Sequence, residues 1–160
     1  MLIPFNALPK DARVWVYQSK HELTDSQVAS VTEKLKTFVG VWQRHGEDLK
    51  ASFAIKYNQF IILAVDENVN DVSGCSIDSS VHCIKQLEEE FGLDLMNKLN
   101  IAFKIGAQIN TVSMIEFQSF VKSKKVNEKT IVFNNMIQSK TELETSWEVP
   151  ANLSWHQRFF

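Results

Sequence analysis

The sequence predicts an α+β fold with a ferredoxin-like (βαββαβ) antiparallel core over residues 12–106 and an α/β extension over residues 107–160, together a single domain. Three observations carry this expectation. Arg13 to Ser19, RVWVYQS, alternates with period two. Two stretches, after Thr24 and after Gly74, repeat apolar residues at spacings of three and four. Between them lie two β-rich runs, KASFAIKY and FIILAVDE, close enough in sequence to form a hairpin.

The first strand places Val14 and Val16 on one face and Trp15 and Tyr17 on the other. Thr24 and Asp25 then offer N-cap oxygens, and Val28, Val31, Leu35, Phe38, Val39 and Trp42 form the apolar stripe of a helix from about Asp25 to about Arg44, with Gly46 as its stop. The hairpin follows, turning at Asn58-Gln59. FIILAVDE is apolar on both faces, with Phe60, Ile62 and Ala64 on one and Ile61, Leu63 and Val65 on the other, so burial on both is expected. The second helix carries Val81, Ile84, Leu87 and Phe91 and ends at Gly92. NIAFKIG, from Asn100 to Gly106, is the fourth strand of the proposed core. Right-handed crossovers would set both helices on one face of that sheet.

Beyond residue 106 the pattern continues with INTV as a short strand, a capping box from Ser113 to Glu116, a helix through Phe117, Phe120 and Val121, and TIVFNN as another strand. Leu143 and Trp147 mark a short helix ending before Pro150. The aromatic supply of this last third, closing in SWHQRFF, makes it one candidate to cover the second face of the core sheet. A second copy of the chain is the other, so the protein is expected as a monomer or a homodimer.

A formal charge of -2 and a pI near 6.1 offer no basic footprint for a polyanion, which argues against nucleic acid as a partner. MLIPFNALPKDAR lacks both a basic leader and a long apolar run, so a soluble, cytoplasmic protein without membrane association is expected. Cys75 and Cys83 fit neither CxxC nor a zinc ligand set and read as free thiols.

Chemistry is sought first where FIILAVDE and a polar loop deliver Gly-Cys-Ser to a helix N-terminus, with free N–H groups and a partial positive charge. Gly74, Ser76, Asp78, Ser79 and Ser80 are candidate contacts for a small anionic ligand there, against the plainer reading of a capped helix start. Cys75 with His82 is the candidate for thiol catalysis. A separation of seven helical residues, a rise of about 10 Å, demands that Cys75 fold back before the helix or meet another histidine such as His156. The plainer alternative has Ser76 or Asp78 capping the helix, Asp78 pairing with His82 and Cys83 in the core. Asp66, Glu67, Asp71 and Asp78 lack the spacing of a calcium loop, and no metal or other cofactor is expected. Trp15 and Tyr17 have the placement of an RNA-stacking platform, but FIILAVDE lacks the basic and glycine residues that accompany one.

Through VDENVNDVSGCSIDSSVH, VFNN and WEVPANLSWHQRFF, almost the whole chain resembles a family of short bacterial proteins of uncharacterised activity, many labelled ABC transporter ATPase. The resemblance implies no activity and no site residues. The label itself requires GxxxxGK[ST] and an LSGGQ-type signature. Gly40, Gly46, Gly74, Gly92 and Gly106 are scattered and build neither that phosphate loop nor GxGxxG, so a P-loop ATPase is excluded. The expected function is binding, of an unknown protein or a small anion, with a thiol-dependent enzyme using Cys75 as the alternative.

Overall fold

The computed structural model describes residues 1–160 and is mixed α and β, with antiparallel sheets and four α-helices. The chain divides into two compact units: Met1–Met96 with Gln138–Thr141, and Asn97–Ile137 with Glu142–Phe160. No helix is long and apolar enough to cross a membrane.

In the first unit, β1 (Arg13–Gln18) leads to α1 (Asp25–Gly40), a small hairpin β2 (Gln43–Arg44) and β3 (Glu47–Asp48), then β4 (Ala51–Lys56), β5 (Phe60–Val65) and α2 (Gly74–Phe91). The sheet order is β1-β5-β4, antiparallel throughout, with Val14 opposite Ala64 and Phe53 opposite Leu63. The central strand β5 is fully buried on both faces, as its unbroken apolar run requires. Ile61, Leu63 and Val65 pack against Val31, Leu35 and Val39 of α1 and Cys83, Ile84 and Leu87 of α2. Trp15 and Tyr17 join this same helix-covered core, with the Trp15 ring 6.0 Å from Trp42, so they are packing residues and not an open platform. The outer edge of β1 is lined by residues 138–141: Ser139 bridges Arg13, and the Val14 amide donates to the Gln138 carbonyl at 3.0 Å. Lys140 is buried there and donates from Nζ to the Leu8 carbonyl at 2.7 Å.

Two boundaries differ from the sequence reading. Thr24 caps α1 in a full capping box with Gln27, but the helix ends at Gly40, short of Arg44. Gly46 is no helix stop. His45 and Gly46 both take positive φ, 50° and 83°, and form the two-residue turn between β2 and β3. The β4–β5 turn holds three residues, Tyr57 to Gln59, since Lys56 lies opposite Phe60. Gln59 then ties it to the end of β1 by donating from Nε2 to the Ser19 carbonyl at 2.9 Å.

The second unit contains β6 (Asn100–Ile105), β7 (Gln108–Ser113), α3 (Met114–Lys122), β8 (Ile131–Phe133) and β9 (Glu148–Pro150), with sheet order β7-β6-β8-β9. The remaining helix, α4, spans Lys140–Thr145. This corrects the ferredoxin-like expectation. The sequence reading sets Asn100–Ile105 in the same sheet as β1 and β4, whereas it pairs with Gln108–Ser113 over six residue pairs. The physical reason is local: Gly106 at φ 62° closes a two-residue turn, and so short a loop costs far less entropy than pairing with strands more than forty residues back. Ser113 caps α3 by accepting from the Glu116 amide at 3.2 Å, as its spacing implied. The closing residues Trp155–Phe159 form a 3-10 helix, and the Phe117 ring of α3 lies 5.5 Å from Phe159 and 6.3 Å from Phe160.

Candidate functional site

The start of α2 is built by serines, and most of them are already engaged. Ser73 is the N-cap, its Oγ accepting from the Ser76 amide at 3.2 Å. Ser76, 1% exposed, donates from Oγ to the Gln43 carbonyl at 2.8 Å, and its own carbonyl accepts from Trp42 Nε1 at 2.9 Å. Ser80 is likewise buried, donating to the Ile77 carbonyl at 2.6 Å and sharing a hydrogen bond with Tyr17, whose phenol burial raises above its usual range. The five candidate anion contacts therefore separate. Gly74, Asp78 and Ser79 are exposed, while Ser76 and Ser80 point into the core, as an i,i+4 pair on a helix shares one face. Ser79 itself donates to the Cys75 carbonyl at 2.9 Å.

Cys75 sits inside the first turn, because the helix already begins at Gly74. His82 is two turns further along, a helical rise of about 10 Å, so the fold-back that a thiol–imidazole pair demands is not made. Both side chains are exposed, and Asp78 forms no ion pair with His82. Cys83 is buried, and burial pushes its thiol up to about 11 against the opposing pull of the Lys34 charge. It is a protonated packing residue. His156 belongs to the second unit, where Ser154 Oγ lies 2.6 Å from its Nδ1 and Trp155 stacks on its ring at 4.0 Å. Burial lowers its pKa to about 4, so the imidazole is neutral near pH 7.

The acidic loop residues are tied up locally. Asp66 accepts from the Asn68 amide at 3.0 Å, Glu67 faces Arg13 at 3.9 Å, and Asp71 pairs with Arg44. Nowhere do three or more His, Cys, Asp or Glu side chains converge as a metal would need.

The feature that sequence reading missed is a groove of about 1270 Å³ between the outer faces of α1 and α2. Its apolar lining includes Phe38, Val41 and Leu87, with Val41 69% exposed just past the end of α1. His82, Gln86 and Ser79 supply polar groups, while Glu33, Lys34, Glu89 and Glu90 add charge. Lys34 reaches across to Glu90 at 3.0 Å, linking the two helices. The one sequence signal for such a surface was Val41, an apolar residue off the stripe that faces the core.

No protein-family model, curated protein or solved structure matches the chain.

Proposed function

We propose that the protein is a protein-interaction module whose recognition surface is the α1/α2 groove. What carries this reading is the exposure of Val41 beside Phe38 in a groove between two helices with polar groups along its sides, the chemistry that suits an amphipathic helix. Two further readings belong to the same proposal. The amides of the first turn of α2, at Gly74 and Cys75, are the donors for a small anion there, although two of the expected hydroxyls face inward. Thiol chemistry at Cys75 would need a base brought by a partner, since His82 lies two turns away. We place the protein in the cytoplasm, on the two free thiols, and keep its likeness to the short bacterial proteins as part of this reading.

The test uses a labelled 18-residue helical peptide with leucines on one face and glutamines on the other. Its binding to the intact protein should saturate and should be lost in Val41→Asp. Equal binding to both proteins, or none to either, rejects the groove as the recognition surface.

A further inference from the structure

From the charge around this groove we infer the partner's chemistry: a cationic amphipathic helix, with lysines or arginines directed at the C-terminal end of α2. The inference rests on the groove reading above and goes one step beyond it.

The modest charge of the whole chain conceals a division. The first unit, which contains the groove, has ten Lys and Arg against fourteen Asp and Glu, net -4, whereas the second has seven against five, net +2. The lining repeats this sign, with Glu33, Glu89 and Glu90 against Lys34, although Glu33 also pairs with Lys36 at 3.3 Å on its own helix. Their placement is against the helix's own interest. Glu88, Glu89 and Glu90 fill the last turn of α2, where the macrodipole is negative and no basic residue is present to offset it. Two of the three have internal partners: Glu88 accepts from the Leu95 amide at 3.0 Å and Glu90 pairs with Lys34. Glu89 has none and is exposed on the groove. Glu89 is thus the one charge of this turn left without compensation inside the fold, and it points to compensation from outside. Positive side chains of a docked helix supply it, while the apolar face of that helix covers Phe38 and Val41.

The experiment compares three labelled 18-residue peptides, each with leucines on one face and lysine, glutamine or glutamate on the other, by fluorescence anisotropy. The lysine peptide should bind best and the glutamate peptide worst. Glu89→Gln should weaken the lysine peptide by about two- to fivefold, the scale of one exposed ion pair, and weaken the glutamine peptide less. Raising salt should narrow the difference. If lysine and glutamine peptides bind alike and both are lost in Val41→Asp, the groove reading stands and the cationic partner is overturned. If none binds, or if binding of the lysine peptide survives Val41→Asp, both fall.

Discussion

Trp42 donates from its indole Nε1 to the main-chain carbonyl of Ser76 at 2.9 Å, and the pair is buried. This bond, with that from Ser76 Oγ to Gln43, fastens the segment leaving α1 to the first turn of α2. It also places the two helices that form the groove. Trp42→Phe keeps most of the apolar volume and removes the indole donor, while the Ser76 carbonyl keeps the Ser80 amide of its own helix, so a loss of about 0.5–1.5 kcal/mol is expected in chemical denaturation. Trp42→Ala should cost about 3–5 kcal/mol. Near-equal losses for the two would show that the hydrogen bond contributes the larger part.

The serines of α2 should separate by face. Ser76→Ala removes a buried donor and strands the Gln43 carbonyl, with an expected cost of about 1–3 kcal/mol. Ser79→Ala, at an exposed position, should stay within about 0.5 kcal/mol. Reversal of this order in urea titrations would contradict the assigned helix phase.

The two thiols should differ in reaction with an aromatic disulfide reagent at pH 8. Cys75 is exposed and should titrate in the native protein, whereas Cys83, held protonated by burial, should titrate only after unfolding. Two fast thiols in the native state would reject the core placement of Cys83.

Much of this architecture was legible in the residues. Thr24 with Gln27, Ser113 with Glu116 and the unbroken run of β5 each express a local rule, and each is found as that rule requires. The end of α1 was not, because Trp42 continues the apolar spacing of the helix while the chain leaves it after Gly40, and Gly46 serves a hairpin in place of a cap. The pairing of β6 depends on a competition between partners that periodicity does not rank, and Gly106 decides it by closing a tight turn. At the site, the α2 start and its residues were legible, but the inward turn of Ser76 follows from its contact with Trp42 and Gln43, 34 and 33 residues earlier in the chain. The groove was invisible for the same reason, as it exists only when α1 and α2 lie side by side.

Stability should fall on the acid side through His156. Its pKa is about 4 in the folded chain and near 6.5 ordinarily, so the folded state holds the neutral form and the unfolded state takes the proton first. The contribution is intact above pH 6.5 and is lost progressively as pH falls towards 4, up to about 3 kcal/mol. In His156→Gln the fall across this window should be shallower than in the intact protein. Identical slopes would show that the imidazole is not buried as described.

Deleting Trp155 to Phe160 removes the rings that stand around Phe117, three of them within 6.3 Å of it, and should lower stability by several kcal/mol. An unchanged melting transition would contradict the packing of the closing helix.

The most direct measurement is a ¹H–¹⁵N NMR titration of the intact protein with the leucine/glutamine peptide. The account predicts shifts concentrated on Phe38, Val41, His82 and Gln86, along the facing sides of α1 and α2. Shifts confined to Gly74 and Cys75, or spread over the second unit, would contradict the groove as the recognition surface.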